Sequence, residues 1–233
     1  MSCGEAIILV GGLGTRLRRL VSDVPKPLAP VAGRPFLAWL LGSLADRGLR
    51  RAILATGYLS EKVQAAFGDE WNGMRIDYSV EDEPLGTGGA IAKALHLRSG
   101  DTMHVLNGDT FLGYQPKAFA EATLASGCGI GMALAAVADV ARYGAVTLDD
   151  GRVTSFREKG EHGPGHINAG SYFLGPGAIA HFPASGAFSF EQTILAEQVA
   201  AGEVFGFTEP GVFIHIGVLE VFLKAQTFIP GFA

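Results

Sequence analysis

Apolar residues in the first half of the chain fall into two alternating patterns. Short runs closed by glycine or polar residues, at 5–10, 51–56 and 102–106, read as strands buried on both faces, and MRIDYSV at 74–80 fits a further strand. Between them, Leu37, Leu40, Leu41 and Leu44 recur at helical spacing within 36–47. Val63, Ala66 and Phe67 share one side of a shorter helix at 60–67, and 87–97 supplies a third. This strand–helix rhythm predicts a mostly parallel sheet with helices on both faces. The second half changes character: GIGMALAAVAD, YGAVTLDDGRVTSFREK and HINAGSYFLG read as strands joined by tight turns, with Asp150-Gly151 a hairpin turn. Ser189 opens a helix through a capping box, its hydroxyl accepting from the Gln192 amide, and a last helix covers roughly 218–227. No internal repeat or linker interrupts the chain. The expected fold is α/β, a three-layer sandwich around a mixed, mostly parallel central sheet, in one domain over 1–233.

Composition changes this picture little but narrows the partners. The chain of 233 residues is 48% hydrophobic and 18% charged, enough for one sizeable core. A net charge of −5 without a Lys/Arg run leaves no footprint for nucleic acid, so an anionic ligand needs a local cationic site. Cys3 and Cys128 fit no metal or redox spacing and read as reduced thiols, Cys128 within a strand. No basic leader with an apolar run opens the chain, and no apolar stretch reaches membrane-span length, which predicts a cytoplasmic protein with no membrane partner.

The first strand runs directly into Gly11-Gly12-Leu13-Gly14-Thr15-Arg16. Glycines there let backbone amides approach a polyanion, although a tight ligand-free turn would use the same residues. A Walker loop needs Gly-Lys-Ser/Thr at its end, where this chain has Thr15-Arg16. A dinucleotide fold needs an acidic residue closing strand two, where this chain has Thr56-Gly57-Tyr58. The nucleotidyltransferase loop adds a basic residue after the glycines and a rigid Pro-Lys-Pro. Arg16 and Pro25-Lys26-Pro27 supply both, and the prolines leave Lys26 little conformational freedom to lose.

GGLGTRLRRLVSDVPKPLAPVAGRPFL resembles the opening of the sugar-1-phosphate nucleotidyltransferases, most closely the D-glycero-D-manno-heptose 1-phosphate guanylyltransferase branch. The resemblance continues through ATGY, EDEPLGTGGA, LNGD, RYGAV, FREKG, HINAGSY, FSFEQ and FIHIG. It implies the nucleotide-diphospho-sugar transferase fold, with a nucleotide-binding half at 1–110 and a sugar-phosphate-binding half at 111–233. It also implies two substrates, a nucleoside triphosphate and a sugar 1-phosphate, with GTP and the heptose favoured. The product would be a nucleotide sugar for surface polysaccharide. Thymidylyl, uridylyl or cytidylyl transfer to another sugar 1-phosphate, and non-catalytic nucleotide-sugar binding, stand as alternatives. Room is left for a homodimer.

Residue by residue, the resemblance assigns Gly11, Gly12, Gly14, Thr15, Arg16, Lys26, Glu81, Gly86, Thr87, Gly88 and Asp109 to the nucleotide. Tyr143, Gly144, Glu158, Lys159 and Asn168 fall to the sugar phosphate, and Arg16, Lys26, Asp109 and Lys159 to catalysis. The bland alternatives are ordinary ones: turn residues in Asn107-Gly108-Asp109, at Asn168 and in the Gly86–Gly89 segment, and a solvated pair at Glu158-Lys159. An ionised Glu81 only accepts hydrogen bonds, which suits the adjacent N–H donors on guanine's pairing edge. A phosphate monoester has a second pKa of about 6, so the attacking oxygen is already ionised and no general base is required. Asp109 suits Mg²⁺, a hard cation that shares its shell with substrate phosphates. One departure stands out: the family carries an aspartate where this chain has His215. Imidazole favours softer ions, so Asp109 alone with phosphates, a site that prefers Mn²⁺ with His215 as a ligand, or loss of catalysis are the readings left open.

Overall fold

The computed structural model describes residues 4–12, 25–156, 162–209 and 211–232. Strand β1 (Glu5–Leu9) is followed by a small hairpin of β2 (Pro30–Val31) and β3 (Arg34–Pro35), then α1 (Phe36–Asp46) and β4 (Arg51–Thr56). Next come α2 (Ser60–Phe67), β5 (Glu70–Trp71), β6 (Met74–Val80), α3 (Gly86–Leu95) and β7 (Met103–Asn107). Beyond these lie β8 (Thr110–Leu112), α4 (Pro116–Ala125), β9 (Ile130–Val137), β10 (Val146–Asp149), β11 (Arg152–Phe156) and β12 (Gly165–Leu174). A turn of π-helix, Phe190–Leu195, runs into α5 (Ala196–Ala200), followed by β13 (Val204–Phe207), β14 (Phe213–His215) and α6 (Leu219–Phe228).

One ten-stranded sheet holds the molecule, in the order β10-β11-β13-β9-β12-β7-β1-β4-β6-β5. Its parallel block is β7-β1-β4-β6, and β12 joins that block antiparallel through β7. Beyond β12 the pairing is antiparallel except between β13 and β9. Side chains alternate through the sheet as its pleat requires. Ala6, Ile8, Ala52, Leu54 and Leu106 face a core shared with α1, α2 and α4, while Ile7, Ile53, Met103 and Val105 face α3 and the 190–200 helix. Burial on both faces is why these strands read as unbroken apolar runs.

Asp150 and Gly151, at φ of +44° and +75°, make the expected hairpin turn between β10 and β11. Ser189 accepts from the Gln192 amide at 3.3 Å as the capping box requires, but the turn it opens is a π-turn. Several short strands and two larger features, α4 and β13, have no counterpart in the sequence reading. Helix α4 starts on Pro116 and buries Phe119, Ala120 and Thr123, and β13 inserts between β9 and β11. Cys128 is buried just ahead of β9 rather than within a strand.

A third, smaller core fixes the Pro-Lys-Pro segment. Ala29 and Val31 pack with Phe36, Phe111, Ile214, Phe222 and Ile229. Lys26 therefore rides on a scaffold built from β2, β8, β14 and α6.

Candidate active site

The parallel strands β1, β4, β6 and β7 end on one edge, where open α/β sheets bind ligands. Their successors Gly11, Gly57, Glu81 and Asp109 gather there. A cavity of about 550 Å³ opens beside β1, lined by Leu9, Gly11, Gly12, Tyr58, Glu81 and Thr87 among others. That volume suits a nucleoside. A second, smaller pocket of about 140 Å³ is lined by Asn107, Thr110, Tyr143, Asn168, Glu191 and His215 among others. Leu9 of the first and Asn107 of the second are register partners across β1 and β7, so the two spaces meet at neighbouring strand ends.

Asp109 lies beside the smaller pocket, against its lining residues Thr110 and His215. The Asn-Gly-Asp turn sits against the end of β1, with the Gly108 amide donating to the Leu9 carbonyl at 2.9 Å. A Cβ on Gly108 would lie 2.6 Å from that oxygen and from the Val10 side chain, so only glycine allows the approach. The Lys26 ammonium contacts Asp109 Oδ2 directly. On the other oxygen, Thr110 Oγ1 donates at 3.3 Å and His215 Nδ1 lies 3.6 Å away, while Thr110 Oγ1 and His215 Nδ1 are 3.2 Å apart. His215 owes this place to antiparallel pairing of β14 with β8, which sets it opposite Thr110. Burial opposes ionisation of Asp109, but the adjacent His215 ring and the Lys26 charge outweigh it and hold the carboxyl well below its usual range.

Glu81 is partly committed to local structure. Its Oε2 accepts from the Leu85 amide at 2.9 Å, and its Oε1 lies against Gly11 on the cavity wall. Gly86 and Thr87 line the cavity. Gly88 instead turns away from it: a Cβ there would fall 2.2 Å from the Phe188 ring, and its amide donates to the Phe188 carbonyl at 2.9 Å. The glycine at 88 thus answers to the packing of α3 on the 186–190 segment. In the small pocket, Asn168 donates to the Tyr172 hydroxyl at 2.7 Å and accepts from the Gly170 amide at 2.9 Å. Tyr143 packs edge-on against Phe213, and Gly144 follows at φ +84° without lining the pocket. Gly14, Thr15, Arg16, Glu158 and Lys159 lie outside the described residues.

The sequence reading did not single out Thr110 or Glu191. Thr110 adjoins Asp109 but earns its place through a partner 105 residues away. Glu191 is hidden within a capping box, where an acidic residue in the first turn is unremarkable.

No group of three His, Cys, Asp or Glu side chains able to hold a metal occurs among the described residues. Mg²⁺ commonly binds through one or two carboxylates and substrate phosphates while keeping waters, and Asp109 at this edge fits that mode. No helix among the described residues is long and apolar enough to cross a membrane.

A glycine-lined cavity beside an ionised Asp–Lys pair, at the carboxyl edge of a parallel block, defines an α/β protein built to handle a phosphorylated ligand. The chain belongs to the nucleotidyl transferase family, matching it over residues 5–226. It is 40% identical over 222 residues to D-glycero-alpha-D-manno-heptose 1-phosphate guanylyltransferase of Aneurinibacillus thermoaerophilus, spanning 95% of this chain and 96% of that protein. The protein of the same name from Campylobacter jejuni is also 40% identical, over 217 residues, spanning 93% and 96%. Among solved structures, HddC from Yersinia pseudotuberculosis complexed with GMP-PN superposes with a TM-score of 0.84 at 37% identity, covering 95% and 97% of the two chains.

Proposed function

We propose that this protein transfers GMP from GTP to D-glycero-α-D-manno-heptose 1-phosphate, releasing pyrophosphate and forming a GDP-heptose. The observation that carries this reading is a nucleoside-sized cavity and a small polar pocket at neighbouring strand ends, with the Asp109–Lys26 pair beside Thr110 and His215 of the small pocket. The choice of guanine and heptose draws support from the two guanylyltransferases that match nearly end to end and from the GMP-PN complex of HddC.

An oxygen of the sugar phosphate attacks the α-phosphorus of GTP. The bond from that phosphorus to the bridging oxygen breaks, and pyrophosphate leaves. The nucleophile is already an anion, so the protein's task is to bring two anions together and stabilise charge on the leaving group. Lys26 carries a positive charge held against Asp109, and Arg16 adds a second on the resemblance of the opening loop. A divalent cation, when bound, neutralises phosphate charge, and Asp109 is the residue that would hold it. Glu81 Oε1 accepts from the guanine edge while Oε2 keeps the Leu85 turn. Asn168 and Tyr143 line the sugar side, with Glu158 and Lys159 assigned there by resemblance. The product is an activated donor for surface polysaccharide, made in the cytoplasm.

Pyrophosphate release across four nucleoside triphosphates and several sugar 1-phosphates, each with Mg²⁺ and Mn²⁺, tests the proposal. GTP with the heptose 1-phosphate should be fastest, and Glu81→Gln should lose part of the preference for GTP. Preference for dTTP or CTP would overturn the guanine assignment. GTP binding without pyrophosphate release under any metal would make the protein a nucleotide-sugar binder instead.

A further inference from the structure

Glu191 lines the small pocket from the first turn of the π-helix, in company with Thr110 and His215. The wider π-turn is fixed by an i→i+5 bond in which the Ala196 amide donates to the Glu191 carbonyl. Its side chain is half committed. Oε2 accepts from Thr87 Oγ1 at 2.7 Å and from Ser189 Oγ at 3.0 Å. Both hydroxyls are themselves oriented, Thr87 by the Phe190 amide at 2.9 Å and Ser189 by the Gln192 amide at 3.3 Å. Among the described residues no donor reaches Oε1. Among the described residues, the carboxylate is therefore an acceptor held in place through one oxygen, with the other facing no protein donor. Nearby, the Asn168 amide has one N–H bonded to Tyr172 and a second available.

We propose that Glu191 is a specificity-determining residue: its free carboxylate oxygen accepts a hydrogen bond from a hydroxyl of the sugar 1-phosphate. This rests on the reading in which the small pocket takes the sugar. An acceptor-only group requires a donor at one position of the ring or its side chain, so a sugar lacking that hydroxyl leaves a partly desolvated carboxylate unpaired. Because Thr87 also lines the nucleotide cavity, the acceptor is braced from the nucleotide side.

The informative variant is Glu191→Gln. Its amide oxygen can still accept from Thr87 and Ser189, which leaves the NH₂ facing the pocket where the free oxygen stood. The fold is retained while the acceptor becomes a donor. KM for heptose 1-phosphate should rise about tenfold or more, with KM for GTP changing less than about twofold. Among monodeoxy analogues of the substrate, one should close the gap between wild type and variant, identifying the hydroxyl. A sugar KM within twofold of wild type, or equal rises in both KM values with a lowered Tm and no analogue closing the gap, would overturn the proposal by leaving Glu191 a purely structural bridge. Calorimetric titration of the sugar 1-phosphate into protein loaded with a non-hydrolysable GTP analogue separates this from the proposed reaction. If the wild type releases no pyrophosphate, the reaction fails, yet tenfold weaker sugar binding by the variant still upholds Glu191. Equal affinity, or no binding by either protein, overturns it.

Discussion

Asp109 is where the physical demands on single residues are sharpest. Its two oxygens face different partners, an ammonium on one and the Thr110–His215 pair on the other. With Lys26 only 14% exposed and Asp109 27% exposed, the pair is shielded from solvent, so its charges act more strongly than a surface pair would. Replacing Lys26 by alanine should cut turnover by about 10²- to 10³-fold, the usual scale for losing one fixed donor at a developing charge. Pyrophosphate release by a variant of unchanged Tm is the measurement, and near-normal turnover would remove Lys26 from the triphosphate site. His215 poses a separate question, because its ring lies beside the carboxylate without adding an oxygen. His215→Asp should lower the Mg²⁺ concentration needed for half-maximal activity, since a second carboxylate suits that hard cation. Asp109→Ala should abolish turnover while His215→Ala does much less. Unchanged metal dependence in His215→Asp would place the cation beyond reach of position 215. The residues of this cluster were legible as motif members, Lys26 from Pro-Lys-Pro and Asp109 from Asn-Gly-Asp. What motifs could not reveal was Thr110 as the link to His215, because that contact exists only once two distant strands pair.

At the scale of elements, long periodic segments were readable and short long-range ones were not. Strands β1, β4 and β7 carry continuous apolar runs because both faces are buried, and α1 carries leucines at helical spacing because one face is. Strands β8 and β14 have three residues each, too few for any period, and their pairing is what delivers His215 and braces Lys26. Helix α4 had a signal in Pro116 at its start and buried Phe119, Ala120 and Thr123, but a polar, alanine-rich sequence masks that stripe. The Gly86–Gly89 segment shows how one motif answers two needs. Gly86 and Thr87 reach the cavity, whereas Gly88 lets α3 meet Phe188. Gly88→Ala should therefore destabilise the fold by about 1–3 kcal/mol through overpacking. Chemical denaturation should show it as a lower midpoint at unchanged slope. A variant as stable as wild type would show that Phe188 yields without penalty and that the glycine serves the ligand instead.

Across the whole molecule, the sheet divides its labour by edge and face. Ligand-facing groups collect where the parallel strands end, while the opposite ends are tied by Arg51, which bonds Asp77 at 2.6 Å and Glu5 at 2.9 Å. Burial raises the pKa of both carboxylates, but hydrogen bonds from Ser99 and Arg51 to Glu5, and from Arg51 and Arg75 to Asp77, outweigh it and hold both low. Their contribution is present above the unfolded values of 4.5 and 3.8 and is lost as pH falls below them. A different group acts at higher pH. His104, on central strand β7, is fully buried against Tyr114, Phe119 and Phe173, and neither ring nitrogen has a hydrogen-bond partner among the described residues. Burial pushes its pKa down from 6.5 to about 3. Below pH 6.5 the unfolded chain takes a proton that the folded one refuses, so stability falls with pH by up to about 1.4 kcal/mol per unit. His104→Phe removes that proton uptake and two unsatisfied polar atoms while keeping a ring in the cluster. Urea unfolding at pH 7, 6, 5 and 4.5 should show a flatter profile for the variant than for the wild type between 6.5 and 4.5. If variant and wild type lose stability in parallel across the window, His104 is not the group that makes this fold acid-sensitive.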